Sequence, residues 1–228
     1  MAQVPAKYHK KCVYMPENAI DPEKFFRIAN PGDANILHAC FVGRLVPYKG
    51  PDMLLEAAAP LLREKRLHLD IIGDGPLMPI LQETVRKEGL SAAVTLHGWV
   101  AHSELQEVMC RSQIFAFPSI REFGGGVVLE AMALGLVPVV VDYAGPAELV
   151  TPKTGYKLPM ARREKIVSSL RDKLKMLASD RQALVPMMIA ARERVHSLFT
   201  WAAKARQIRE VYDWVLGARF GKPEFFKE

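Results

Sequence analysis

The chain has 228 residues, half of them apolar and a quarter charged, with a formal net charge of +6. No apolar run approaches the ~20 residues of a membrane-spanning helix, and Met1 to Lys7 lacks the apolar stretch of a secretory leader, so a globular chain with a sizeable core is expected. Cys12, Cys40 and Cys110 and the six scattered histidines form neither a disulfide framework nor a metal-ligand spacing, which fits a reducing compartment and argues against a resident metal.

Residues 1–35, rich in Lys, Pro and Asn, read as a lead-in. The core that follows, 36–160, alternates. Ile36 to Val42 is a strand-like run ending at Gly43, and Asp52 to Leu62 has helical apolar spacing. His68 to Ile72 is a strand that stops at Gly73-Asp74-Gly75, and Leu77 to Lys87 is a helix that stops at Gly89. Val94 to Val100 reads as a strand. Ser103 to Cys110 reads as a helix, with Ser103 as its N-cap and Glu107 near its first turn. Strand 113–118 and helix 127–134 follow. Gly135 ends that helix, and Val137 to Val141 is a nearly pure β-branched strand. The strands are apolar throughout, as a sheet covered by helices on both faces requires. Strands alternating with helices at this spacing imply βαβ units on a mostly parallel sheet, an α/β fold.

The β pattern ends near Leu158-Pro159, and residues 163–217 read as consecutive helices, so that segment 161–228 completes the same domain. Trp201 to Leu216 carries an amphipathic stripe of Ala205, Ile208, Val211, Tyr212 and Val215. Residues 151–228 hold 17 basic and 8 acidic side chains, a balance of +9, while the remainder holds 14 and 17. A basic end suits an anionic membrane surface or nucleic acid, but a solvated helical face explains it as well. No aromatic residues interleave with the charges, so nucleic acid is not an expected partner.

The chemistry concentrates at four strand ends. In Gly43-Arg44-Leu45-Val46-Pro47-Tyr48-Lys49-Gly50, two cations share one tight loop, a planar fork and a point charge that together suit a diphosphate. The spacing is not that of a P-loop. Gly73-Asp74-Gly75-Pro76 is a turn where backbone could face a flat base; the third glycine of a dinucleotide fingerprint is missing, so NAD is not expected. The third end is the most informative. Glu122 and Glu130 bracket Gly124-Gly125-Gly126-Val127 at a strand-to-helix junction. The free N–H groups of a helix start attract phosphate oxygens, and ionised acids accept hydrogen bonds from sugar hydroxyls. Phosphate and polyol together make a sugar nucleotide. The fourth end, Asp142 to Glu148, offers Glu148 either as a brace for the site or as a helix-start acid favoured by the dipole, and the second is the simpler reading.

Taken in order, these residues resemble a family. Arg44 and Lys49 in a Gly-Arg-x4-Lys-Gly loop, Gly-Asp-Gly-Pro, Pro-Ser with Glu-x7-Glu, then Glu-Ala-Met-Ala-x-Gly-x-Pro-Val-Val look like the donor half of retaining GT-B glycosyltransferases, the group related to sucrose and glycogen synthases. Val13 to Phe25 and Phe199-Thr200-Trp201 are similar to the segments that enter and leave this half, so the resemblance covers about residues 12–217. It implies a Rossmann-like sheet as one half of a GT-B architecture. By position it implies that Arg44 and Lys49 neutralise the departing nucleoside diphosphate, and that Gly43, Gly73 and Gly75 let donor and backbone approach. Backbone N–H groups of Gly125, Gly126 and Val127 would meet the diphosphate, Glu130 the ribose, and Glu122 the donor sugar. No divalent metal and no cofactor besides the NDP-sugar substrate is implied, and transfer would retain the anomeric configuration.

Two departures stand out. Phe123-Gly124 occupies positions where the family has Gly followed by Phe, which alters contacts to the donor sugar. No amino-terminal acceptor domain precedes residue 12, so this is expected to be a donor domain of a longer protein or the partner of a separate chain. A cytoplasmic location, with peripheral contact to the inner face of a membrane, fits both. Two other readings share these residues. One is a non-catalytic nucleotide- or phosphosugar-binding module or regulatory subunit. The other is a hydrolysing or epimerising enzyme, which needs an acid/base group not assignable here.

Overall fold

The computed structural model describes residues 4–29 and 36–226; residues 1–3, 30–35 and 227–228, which include the expected lead-in boundary at 35, lie outside the described residues. Six parallel strands form one sheet: β1 (Leu37–Val42), β2 (Leu67–Ile72), β3 (Val94–Gly98), β4 (Ile114–Phe117), β5 (Val137–Val141) and β6 (Tyr156–Leu158), in the order β3-β2-β1-β4-β5-β6. Between them run α1 (Pro51–Arg63), α2 (Met78–Lys87), α3 (His102–Met109), α4 (Gly126–Ala133) and α5 (Ala144–Leu149); α6 (Arg163–Ser179), α7 (Leu184–Leu198) and α8 (Trp201–Val215) follow. This is the α/β fold the alternating pattern implies, with the Rossmann-like sheet the resemblance implies.

The central strands are short and β-branched or aromatic, and β4 and β5 are buried at every residue. β1 pairs with β2 along its full length, but with β4 only through Ala39–Ile114 and Cys40–Phe115. The chain moves outward from β1 through β2 and β3, then crosses back to place β4 on the other side of β1. Right-handed crossovers in opposite directions put helices on opposite faces, and the strand order reverses between β1 and β4, the point where open parallel sheets bind ligands. α1 packs on α6, and α4 packs on α7. Among the described residues no helix is long and apolar enough to cross a membrane.

Several local expectations need correction. β3 stops at Gly98, two residues before Val100, because Gly98 turns left-handed at φ 68°. α3 then starts at His102 behind an extended Ala101; Ser103 is not its N-cap, and Glu104 rather than Glu107 lies in its first turn. β4 ends at Phe117, one residue early. Edge strands β3 and β6 are only partly covered. In α8 the buried positions are Ala203, Lys204 and Gln207. Of the amphipathic stripe, Ala205, Ile208, Tyr212 and Val215 face solvent, Tyr212 at 64% and Val215 at 69% exposure, and Val211 is half-buried.

The lead-in is stitched onto the sheet domain rather than hanging from it. Ile20 N–H donates to Phe199 O at 2.8 Å, and Trp201 N–H donates to Ile20 O at 3.3 Å. Ala29 N–H donates to Leu134 O at 2.7 Å, and Phe25 is 3% exposed in the core. Thr200 explains the helix start beside it: its hydroxyl caps α8 by accepting from Ala203 N–H at 3.1 Å.

A strand-end crevice between the first and fourth strands

The loop after β1 tightens through a 3₁₀ turn, Pro47–Lys49, into Gly50, which is left-handed at φ 73° and starts α1 with Pro51 at its first position. A Cβ on Gly50 would lie 3.0 Å from Pro118 O, so the β1 and β4 loops touch through backbone. Two hydrogen bonds tie them further: Ile120 N–H to Tyr48 O at 2.9 Å, and Ser119 Oγ to the same carbonyl at 3.3 Å. This contact carries Lys49 across to Glu122, and their side chains form an ion pair, each 18% exposed. The ammonium also lies 5.1 Å from the Phe117 ring centre. Arg44 stays exposed at the crevice rim, with no ion pair among the described residues.

Across the crevice, Gly125 adopts φ 71° and opens α4 without any side-chain cap. The first N–H groups of a helix have no partner within it. A Cβ built on Gly126 meets nothing within 4 Å, so one side of this first turn is open. The turn is held from behind. Gly145 N–H donates to Phe123 O at 2.9 Å, and a Cβ on Gly145 would lie 2.2 Å from that oxygen. Asn18 presses on Gly124 from the lead-in, so that a Cβ there would lie 2.1 Å from Asn18 Nδ2. Phe123 itself is 80% exposed. Beside it opens a cavity of about 340 Å³ bounded by Tyr14, Asn18, Phe123, Gly145 and Glu148. A larger cavity, about 510 Å³ and mostly apolar, lies away from these strand ends between Ile28 and α7.

Gly73 and Gly75 pack beneath the β1 loop rather than lining open space. A Cβ on Gly73 would sit 2.0 Å from Gly43 O, and one on Gly75 would sit 2.6 Å from Leu45 O. They let two strand-end loops cross at backbone distance, which seats Arg44. Glu148 is not a helix-start acid: it is the fifth residue of α5 and accepts a hydrogen bond from Tyr14 Oη at 2.7 Å. Burial, then the Glu148 bond, holds the Tyr14 phenol well above its ordinary range.

Glu130 lies one turn into α4, its side chain 20% exposed, and its Oε1 is 3.0 Å from His102 Nε2. The sequence reading missed His102. It also missed the buried carboxylate Asp70 on β2, whose Oδ1 lies 2.6 Å from His97 Nε2 and 3.8 Å from His68 Nε2. Burial would raise Asp70, but the hydrogen bonds from His68 and His97 outweigh it and lower its pKa. Asp70 and His68 stand on β2 and His97 on β3, within the sheet. Among the described residues no group of three or more His, Cys, Asp or Glu side chains is placed to hold a metal.

Thus Lys49 and Glu122 meet where the β1 and β4 loops touch and Glu130 meets His102, while Gly73 and Gly75 pack beneath the β1 loop that carries Arg44. Residues 37–180 match the family model for group 1 glycosyl transferases. The chain is 31% identical over 201 residues to a D-inositol 3-phosphate glycosyltransferase of Kineococcus radiotolerans, covering 82% of this chain and 46% of that protein. It is 32% identical over 181 residues to a GDP-mannose-dependent alpha-(1-6)-phosphatidylinositol monomannoside mannosyltransferase of Mycobacterium tuberculosis, covering 74% and 45%. Among solved structures, the pneumococcal O-GlcNAc transferase GtfA with UDP and GlcNAc superposes with a TM-score of 0.72 at 20% identity, over 89% of this chain and 40% of that one. Anabaena Alr3699/HepE with UDP and glucose gives 0.71 at 22%, over 86% and 55%. At those identities the structural likeness is one of fold. The chain spans under half the length of the curated relatives it matches.

Proposed function

Because the chain belongs to the group 1 glycosyl transferases, we propose that it is the half that binds a nucleoside-diphosphate sugar in a protein that transfers the sugar to an acceptor hydroxyl. The observation that carries this is the meeting of two loops at the β1–β4 switch point, with Arg44 and Lys49 on one side and the uncapped start of α4 on the other. Ligands of open parallel sheets bind at such a point, and cations facing a helix start form a cradle for a diphosphate.

In the transfer, the bond between the anomeric carbon and the diphosphate oxygen breaks while the acceptor oxygen bonds to that carbon from the same face. The acceptor proton passes to the departing phosphate oxygen. Arg44, Lys49 and the N–H groups of Gly125, Gly126 and Val127 stabilise the charge that develops on the leaving group, so no divalent metal is needed. Glu130 accepts from the ribose and Glu122 from the donor sugar. Without ligand, Glu122 neutralises Lys49; a diphosphate draws the ammonium away and frees the carboxylate for hydroxyls. Relatives about twice as long as this chain support a second domain, on the same chain or a separate one, that supplies the acceptor and shuts out water. The protein works in a reducing, cytoplasmic setting. The basic surplus of residues 151–228 supports peripheral contact with an anionic membrane face, which cosedimentation with anionic vesicles at low and high salt would test.

Calorimetry in EDTA tests the site. A nucleoside diphosphate should bind without metal, and Arg44→Ala with Lys49→Ala should cost roughly 1.5–3 kcal/mol for each charged hydrogen bond lost. Glu130→Ala should weaken the diphosphate and the sugar nucleotide alike; Glu122→Ala should weaken the sugar nucleotide alone. Strict Mg²⁺ dependence, or an unchanged affinity in the double variant, sinks the reading.

A further inference from the structure

Glu130 does not stand alone in the crevice. His102, the first residue of α3, places Nε2 3.0 Å from its Oε1. No described residue bonds to the other carboxylate oxygen. The imidazole is itself oriented, because its ring meets Phe25 edge to face, with centroids 5.3 Å apart and planes at 75°. Phe25 is 3% exposed, and the segment bearing it is pinned to α3 two residues later, where Arg27 pairs with Glu107 at 2.7 Å. Core packing holds Phe25, whose edge contact gives the exposed His102 ring one side to lean on, and the ring in turn contacts one carboxylate oxygen. A glutamate has three rotatable side-chain bonds, and freezing them on ligand binding costs entropy. A partner that holds one oxygen in advance removes much of that cost.

Resting on the assignment of Glu130 to the ribose, we infer that His102 is the positioning residue of the nucleotide site: it holds Glu130 Oε1 so that Oε2 is presented to the vicinal hydroxyls of the ribose. The role needs a donor at Nε2, which both the imidazolium and one tautomer of the neutral ring supply. A glutamine at 102 also ends in an N–H donor, whereas alanine does not.

The test uses the full chain and calorimetry with UDP, GDP and ADP, the 2′,3′-dideoxy counterpart of whichever binds, and inorganic pyrophosphate. Glu130→Ala should weaken the ribonucleotide by roughly tenfold or more and leave the dideoxy form and pyrophosphate nearly unchanged. His102→Ala should weaken the ribonucleotide roughly three- to tenfold, again sparing the other two probes, and His102→Gln should restore most of the loss. The double variant His102→Ala with Glu130→Ala should bind no worse than Glu130→Ala alone, since His102 acts through the carboxylate. Equal losses on ribo and dideoxy probes in His102→Ala, no rescue by glutamine, or additive losses in the double variant would each overturn the inference while the ribose assignment stands. A Glu130→Ala that weakens all three probes alike overturns that assignment, and the inference with it.

Discussion

α4 and α8 are both helices whose apolar residues mark them as elements of a packed domain, yet they sit in opposite environments. α4 is short and mostly buried; Val128, Leu129, Ala131, Met132 and Ala133 are inside, and its one acid, half-buried, pairs with His102. α8 buries a lysine and a glutamine, and turns Ile208, Tyr212 and Val215 to solvent. An apolar run that fills a βαβ crossover can only face the sheet, so its burial follows from connectivity. An apolar stripe on a terminal helix says that some surface must be covered, without saying which surface covers it. The sheet domain does not cover this one. It holds α8 from the polar side, with Lys204 between the rings of Phe199 and Phe226 at 4.7 and 5.1 Å and donating to Gln207 Oε1 at 3.3 Å.

The contrast can be broken most severely behind α4. Gly145→Ala would drive a methyl group into the Phe123 and Gly124 carbonyls. We expect a loss of about 2–4 kcal/mol and of nucleotide binding, read by chemical denaturation and calorimetry. Gly126→Ala, whose methyl group meets open space, should stay within about 0.5 kcal/mol of wild type yet weaken the diphosphate by crowding the helix start. If both variants unfold alike, the turn is merely tight and not built around a ligand.

A smaller effect sharpens the account of α8. Burial lowers Lys204 to about 8, below an unfolded value near 10.4. The cost of burying the charge is therefore fully present below pH 8 and fades as pH rises from about 8 to 10. Lys204→Met should be more stable than wild type near pH 7 by something on the order of 1 kcal/mol, and the advantage should shrink by pH 10. An advantage that does not change with pH would assign the difference to packing alone. The smallest effect is on the outer face. Tyr212→Ser with Val215→Ser should change folding stability by less than about 0.5 kcal/mol per site and lower self-association in light scattering. A large loss of stability would mean that this face is covered after all.

Legibility followed the same division. Helix and strand periods and the β-branched run of β5 are local properties of the chain, and each expected element appears within about two residues of its place. Arg44, Lys49, Glu122 and Glu130 were proposed from sequence because paired cations and acids at strand-end glycine turns suit a sugar nucleotide; the structure joins Lys49 to Glu122. His102 was not visible. A histidine at a helix start carries no signal by itself, and it reaches Glu130 only because the sheet order sets the start of α3 beside α4 across 28 residues of sequence. Gly73 and Gly75 follow a related rule: a strand-end glycine can admit a ligand or another loop, and only the tertiary structure shows the β1 loop so close that a Cβ on Gly73 would lie 2.0 Å from Gly43 O. Sequence by itself determined the α/β alternation, which rests on spacing along the chain, and the family, which rests on an ordered set of local motifs. Tertiary structure alone decided the Lys49–Glu122 pair, the hold of His102 on Glu130 and the outward stripe of α8, because each depends on which distant segments the sheet brings within a few ångströms.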